Sequence, residues 1–302
     1  MKTWVPSDSV ADVLSDLPGV ECAVYDGTSP MPAGIEEVEV WIPPLITVLD
    51  LPGTLARMRS LRLVQATSAG VEAYLPHIPR GVRLCNARGV HDAGTAEWAV
   101  GAMVAVLREF PGFVDAQRRG EWTYHHTEVL ADSTVLIVGY GSIGAALERR
   151  LGGFEVEVVR VARSAREGVH GLDELPKLLP AADVVVLLVP STSDTAEMVD
   201  AAFLARMKDG ALLVNAARGG IVDTDALLAE LKTGRLRAAL DVTAPEPLPE
   251  GHPLWSAPGV LITPHVAGST PASGRRMLRL LRVQLERYLA GEHLVNVITD
   301  AY

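Results

Sequence analysis

Three residues late in the chain, Arg218, Glu246 and His265, are of types that together can move a proton and hold an anion. They stand in Asn215-Ala216-Ala217-Arg218-Gly219-Gly220, Asp241-Val242-Thr243-Ala244-Pro245-Glu246-Pro247 and Thr263-Pro264-His265-Val266-Ala267-Gly268, each following or ending an apolar run that reads as a strand. An imidazole donates a proton near neutral pH, and a neighbouring carboxylate favours its protonated form and fixes its orientation. A guanidinium offers a planar fork to carboxylate and carbonyl oxygens. The set therefore suits reduction of a carbonyl: a proton for the oxygen and a positive clamp, with the hydride left to a cofactor. Singly, each has an ordinary structural account: Arg218 as a strand-end cap, Glu246 as an exposed acid in a Pro-rich turn, His265 as a hydrogen-bonded core histidine.

A hydride donor has a place in Ser133 to Gly144, STVLIVGYGSIG, where an aliphatic run ends in Gly139-x-Gly141-x-x-Gly144 and good helix formers follow. In this spacing the first glycine makes the tight turn, the second lets backbone approach a pyrophosphate and the third lets helix pack on strand. The pyrophosphate then lies on free N–H groups at the helix N-terminus. The end of the next strand, Val158-Val159-Arg160-Val161-Ala162-Arg163-Ser164, chooses the dinucleotide. An acid there accepts from the adenosine ribose hydroxyls and repels a 2'-phosphate; Ala162 removes that repulsion, and Arg163 with Ser164 can pair with a dianion. The expected cofactor is NADP(H), with NAD(H) as the second choice.

The rest of the chain must position these groups. Its 302 residues suggest two domains, and 48% hydrophobic content supplies their cores. A net charge of −10 argues against nucleic acid or an anionic membrane as partner, though not against a small anion at a local positive site. The opening MKTWVPSDSV has no apolar signal core and no run reaches about 18 apolar residues, so a cytoplasmic protein is expected. Cys22 and Cys85 read as small buried hydrophobes, and no ligand spacing predicts a metal.

Strand-like runs at Glu21 to Tyr25, Glu37 to Ile42, Leu61 to Ala66 and Val82 to Cys85, with Leu51 to Ser60 helical, predict a small α/β domain. Beyond the glycine stretch, runs at 156–161, 184–189, 211–215, 236–241 and 260–263 alternate with helical stretches at 172–179, 201–208 and 223–232, which predicts a doubly wound parallel sheet. Residues 274–290 form an amphipathic final helix. The small residues Ser68, Ala69 and Gly70 after a strand read either as a backbone nest for a carboxylate or as an ordinary loop. Thr95 to Glu109, apolar on most sides, reads as a helix at a dimer contact or one buried within a subunit; Asp92 or Thr95 caps it, and Pro111-Gly112 ends or breaks it. The paired His125 and His126 in a polar connection read as exposed.

Five segments in order, VGYGSIG, LLVPSTSDT, NAARGGIVD, ALDVTAPEPLP and ITPHVAGST, together with the Ser68-Ala69-Gly70 loop, resemble the D-isomer-specific 2-hydroxyacid dehydrogenases over nearly the whole chain. The resemblance implies that Arg218 binds the carboxylate and carbonyl of a small 2-ketoacid or 2-hydroxyacid, that Glu246 pairs with His265, and that His265 is the general acid in reduction and base in oxidation. It implies substrate contacts from Ser68, Ala69 and Gly70, a nicotinamide contact from Asp241, and cofactor contacts from Pro190 and Thr195, with Ser142, Ile143, Ala217 and Gly268 beside them. It further implies a homodimer of two Rossmann-like α/β domains, a dinucleotide domain of residues 91–271 inserted into a substrate domain of residues 1–90 and 272–302. Ala162-Arg163-Ser164 departs from the NAD-using members toward the NADPH-dependent glyoxylate and hydroxypyruvate reductases. Thr243 stands where an aromatic is common, and Glu246 replaces the glutamine of the related formate dehydrogenases. A cofactor-sensing binding protein like the related corepressors is the alternative reading. Tyr74, Trp41, Leu45 and Trp255 are candidates for shaping a substrate pocket, or ordinary packing residues.

Overall fold

The computed structural model describes residues 1–45 and 50–299. Two units divide the chain: Met1–His91 with Pro271–Tyr302, and Asp92–Thr270, which lies between those segments in sequence.

In the first unit β1 (Lys2–Val5), β2 (Glu21–Val24), β3 (Val38–Trp41), β4 (Leu63–Gln65) and β5 (Arg83–Cys85) pair in parallel in the order β2-β1-β3-β4-β5. Side chains alternate across a strand. Trp4, Val64 and Leu84 therefore enter one core, with Leu55 of α2 (Leu51–Arg57). Their neighbours Val5, Leu63 and Cys85 enter the opposite core, with Val10 and Leu14 of α1 (Asp8–Leu14) and with Leu281 and Leu285 of the C-terminal helix, Pro271–Leu289. After that helix the chain returns to β5: Val297 bridges Cys85 antiparallel, and Ile298 N–H donates to the Leu84 carbonyl at 2.8 Å.

No element was anticipated before Glu21, yet β1 is paired on both sides. Lys2-Thr3-Trp4-Val5 is short and half polar, so its strand character comes from two partners and complete burial of Thr3, Trp4 and Val5. Both cysteines are free; Cys85 is buried as expected but Cys22 only half-buried, and burial pushes the Cys85 thiol up to about 11 and raises Cys22.

The second unit holds β6 (Thr134–Val138), β7 (Glu157–Ala162), β8 (His170–Gly171), β9 (Val184–Leu187), β10 (Leu212–Asn215), β11 (Arg237–Leu240) and β12 (Val260–Ile262) in one parallel sheet, ordered β12-β11-β10-β9-β6-β7-β8. The order runs outward from β6 in both directions, the doubly wound pattern whose ligands bind at the carboxyl ends of strands near the reversal. The strands read as nearly unbroken aliphatic runs because both faces are covered. Leu136, Val138, Val185, Leu187 and Leu213 pack under α6 (Leu175–Leu178), α7 (Ala201–Arg206) and α8 (Thr224–Lys232). Val135, Ile137, Val184, Val186 and Val214 pack under α3 (Asp92–Leu107) and α5 (Ser142–Leu151).

The helix expected from Thr95 starts at Asp92, and its Ala96, Ala99, Ala102 and Met103 are buried within this unit, while Trp98, Val100 and Val104 on it are half-buried. Pro111 does not end it. The helix stops at Leu107, Glu109 turns through φ 53°, and Pro111 sits in the first turn of a new helix, α4 (Phe110–Arg119), where its missing N–H has no partner to lose.

Candidate active site

Parallel pairing puts the carboxyl ends of β10, β11 and β12 side by side on one edge of the sheet. Arg218, Glu246 and His265 follow those three strands in turn. His265 Nδ1 meets Glu246 Oε1 at 2.6 Å, with the two side chains 49% and 40% exposed. A carboxylate at that distance orients the imidazole and leaves Nε2 for proton exchange. Arg218 is held by its neighbours: Asn215 Nδ2 donates to its carbonyl at 3.0 Å, Asn215 Oδ1 accepts from Ala217 N–H at 3.0 Å, and an Arg218 guanidinium N–H donates to the Ala217 carbonyl at 2.8 Å. Next to it, a Cβ on Gly219 would overlap the Thr243 carbonyl, so the Arg218 loop lies directly on the loop that leads to Glu246.

Asp241 has a part that the sequence did not reveal. Its buried carboxylate accepts from Thr263 Oγ1 at 2.6 Å and from the N–H groups of Val266 and Ala267 at 2.9 Å each, and its carbonyl accepts from His265 N–H at 2.8 Å. The residue expected to touch nicotinamide is thus also the anchor of the loop that carries His265.

The glycine turn follows β6 at the reversal point. Gly139 takes φ 107° and a Cβ there would overlap the Leu188 backbone, while a Cβ on Gly144 would stand 2.7 Å from the Gly139 carbonyl. Around Gly141 a Cβ would meet nothing within 4 Å. The outer glycines are therefore required by the protein's own packing, and the middle one faces open space. α5 begins at Ser142 without a side-chain cap, which leaves its first-turn N–H groups, those of Ser142, Ile143 and Gly144, for an anion. Ser142 Oγ lies 3.2 Å from Asp92 Oδ1. These features fit the pyrophosphate of a dinucleotide.

At the end of β7, Ala162 is buried and Arg163 and Ser164 are exposed. Two further arginines, which no sequence pattern singles out, brace this corner. Arg160 Nε contacts both Glu148 carboxylate oxygens at 2.9 and 3.0 Å, the Tyr140 hydroxyl also donates to Glu148, and Arg166 donates to the Tyr140 carbonyl at 2.8 Å. The Arg160 guanidinium holds the Glu148 carboxyl below its ordinary value, and Glu148 raises the Tyr140 phenol. A sequence signal existed only in hindsight: Glu148 lies two helical turns beyond Tyr140.

Thr195 is buried, its hydroxyl donating to the Pro190 carbonyl at 2.6 Å and accepting from Thr192 N–H at 2.9 Å, so its visible work is to close the turn after β9. Ala217 is buried and Gly268 half-buried. In the first unit, Ser68, Ala69 and Gly70 form a half-buried turn after β4. Of the pocket candidates, Trp41 is a core residue, Tyr74 is half-buried, and Leu45 and Trp255 are exposed. His125 is exposed and paired with Glu109 at 3.0 Å, and His126 is exposed. Among the described residues no helix is long and apolar enough to cross a membrane, and no group of three or more His, Cys, Asp or Glu is placed to hold a metal.

Residues 100–267 match the family model described as D-isomer specific 2-hydroxyacid dehydrogenase, NAD binding domain. The chain is 35% identical over 226 residues to the glyoxylate reductase of Thermofilum pendens, covering 70% of this chain and 67% of that one. Among solved structures it is similar to a D-isomer specific 2-hydroxyacid dehydrogenase from Xanthobacter autotrophicus in complex with NADPH and MES, at 30% identity and TM-score 0.85, covering 100% and 99% of the two chains. It is also similar to the NADPH-dependent glyoxylate/hydroxypyruvate reductase of Sinorhizobium meliloti in complex with NADP and malonate, at 26% identity and TM-score 0.83, covering 99% and 96%. The doubly wound parallel sheet agrees with these likenesses, and the chain belongs to the D-isomer specific 2-hydroxyacid dehydrogenases.

Proposed function

We propose that the protein is an NADP(H)-preferring reductase of small 2-ketoacids, acting reversibly on the D-2-hydroxyacids. The observation that carries this reading is the His265–Glu246 pair at 2.6 Å, whose members follow the two strands beyond the one that leads to Arg218, β12 and β11, at the same carboxyl edge of the sheet. When bound, NADPH supplies the hydride that reaches the keto carbon. Gly139 to Gly144 hold its pyrophosphate, and Arg163 with Ser164 takes the 2'-phosphate that an acid at position 162 would repel. His265 keeps its proton at Nε2 and passes it to the carbonyl oxygen, while Glu246 stabilises the imidazolium before transfer and keeps the ring in line. Arg218 stabilises the charge growing on that oxygen and pairs with the carboxylate. The Ser68–Gly70 turn takes the carboxylate through backbone N–H groups. In oxidation His265 accepts the proton instead. The NADPH and NADP in the two similar structures support the cofactor assignment.

Steady-state kinetics with NADPH and NADH over a panel of glyoxylate, hydroxypyruvate and a bulkier 2-ketoacid test the reading. NADPH should give the higher kcat/KM. His265→Ala should lose most turnover and keep NADPH affinity, and Arg218→Ala should chiefly raise the ketoacid KM. An equal or better response to NADH removes the cofactor preference; unaltered turnover in both variants removes the site.

A further inference from the structure

In the first unit three buried side-chain amides, two bonded to each other and the third reached through its main-chain carbonyl, lead to the Ser68–Gly70 turn. Gln284 lies in the C-terminal helix, Gln65 ends β4 and Asn86 follows β5; all three are buried. Val295 N–H donates to Gln284 Oε1 at 3.0 Å. A main-chain N–H can only donate, so this contact fixes which end of the amide is which. The Gln284 NH2 group is thereby turned to Gln65 Oε1 at 2.8 Å and to the Val295 carbonyl at 2.9 Å. That turns the Gln65 NH2 group to the carbonyls of Ala66 at 2.9 Å and Asn86 at 3.2 Å. Asn86 repeats the logic: its Oδ1 accepts from Arg88 N–H at 3.1 Å, so its NH2 group reaches the Ala69 carbonyl at 2.7 Å.

The turn is held from within at every carbonyl. Ala87 N–H donates to the Ser68 carbonyl at 2.8 Å, and Ser68 Oγ to the Gly70 carbonyl at 2.5 Å. In a trans peptide the N–H lies opposite the C=O. Fixing the carbonyls of Ser68 and Ala69 therefore aims the N–H groups of Ala69 and Gly70 the other way, and among the described residues neither of these finds an acceptor. A buried amide chain is costly unless each member is satisfied; satisfied throughout, it specifies one geometry.

The geometry points to Asn86, backed by Gln65 and Gln284, as a positioning residue that acts through the Ala69 carbonyl to aim the Ala69 and Gly70 N–H groups at the substrate carboxylate. This rests on the reading of the protein as a 2-ketoacid reductase whose Ser68–Gly70 turn takes that carboxylate.

The test follows oxamate, an unreactive carboxylate analogue of a 2-ketoacid, binding to the NADPH-loaded protein. It is read from the amide resonances of Ala69 and Gly70 in 15N-labelled protein, with glyoxylate kinetics alongside. Both resonances should move in the wild type. Asn86→Ala and the same-sized Asn86→Asp should each raise the oxamate Kd and the glyoxylate KM about tenfold or more, with kcat changed less than KM and NADPH Kd within about twofold. Should both variants fail to fold, Gln65→Met, which cuts the chain one link back, should raise the same two constants about threefold. An unchanged oxamate Kd in a folded variant overturns the positioning role, as does a loss of NADPH affinity parallel to the loss of oxamate. A wild type that binds NADPH but whose Ala69 and Gly70 amides ignore oxamate overturns the carboxylate reading of the turn, and the positioning role with it.

Discussion

His265 stands at φ 54°, a backbone conformation uncommon for residues other than glycine. Its cause is local. The His265 N–H is shared between the carbonyls of Asp241 at 2.8 Å and Thr263 at 3.0 Å, and the next two N–H groups turn onto the Asp241 carboxylate. Asp241→Asn would keep the size but set an NH2 group against one of those N–H donors. Leaving a buried donor unpaired costs about 1–3 kcal/mol, so kcat/KM should fall about 10- to 100-fold, with a lower thermal midpoint. Wild-type kinetics in that variant would show that Asp241 does not hold the histidine. The strand-end placement of Arg218, Glu246 and His265 was legible in the sequence because each sits in a short segment after an apolar run. The anchoring by Asp241 was not, since it depends on which way a loop 22 to 26 residues downstream folds back.

At the scale of elements, α5 and β7 are joined beside the glycine turn through Tyr140, Glu148 and Arg160. Because Arg160 lowers the folded pKa of Glu148, the pair's contribution is present above the ordinary value of 4.5 and is lost as pH falls through the lower folded value. Urea midpoints of the wild type and Glu148→Gln should therefore differ by a constant amount from about pH 7 to 5 and begin to converge as pH falls below about 4.5. A gap that does not narrow at all as pH falls below about 4.5 would show that the charge on Glu148 is not what matters. The long aliphatic strands of the second unit declared themselves, since burial on both faces leaves an uninterrupted apolar run. β1 and β8 did not: four and two residues carry too little pattern, and pairing on neighbouring strands makes them. Gln65, Asn86 and Gln284 were equally silent, because isolated amides share no spacing that marks a network.

At the scale of the molecule, five exposed large apolar side chains among the described residues fall in one stretch of sequence: Phe110, Val114, Trp122, Tyr124 and Val129, with Trp122 95% and Tyr124 80% exposed. Exposed apolar side chains that gather on a surface commonly mark a protein–protein contact. As an expectation to be tested, the contact of the homodimer suggested by the sequence is assigned to α4 and the segment after it, not to the buried face of α3. Sedimentation should give about twice the 32.2 kDa chain mass for the wild type, and a Trp122→Ser, Tyr124→Ser variant should shift toward the single-chain mass. A wild-type monomer would remove the assignment.

The amide chain also orders events in time. Gln65 meets Gln284 across 219 residues and Asn86 meets Asn296 across 210, whereas the second unit is one continuous stretch, Asp92–Thr270. Loop closure over such separations is slow, and a ribosome releases the chain from its N-terminus. Strands β6 to β10 can thus pair before residues 284–296 are made, whereas the amide chain behind the Ser68–Gly70 turn, though begun early, cannot be completed until they are.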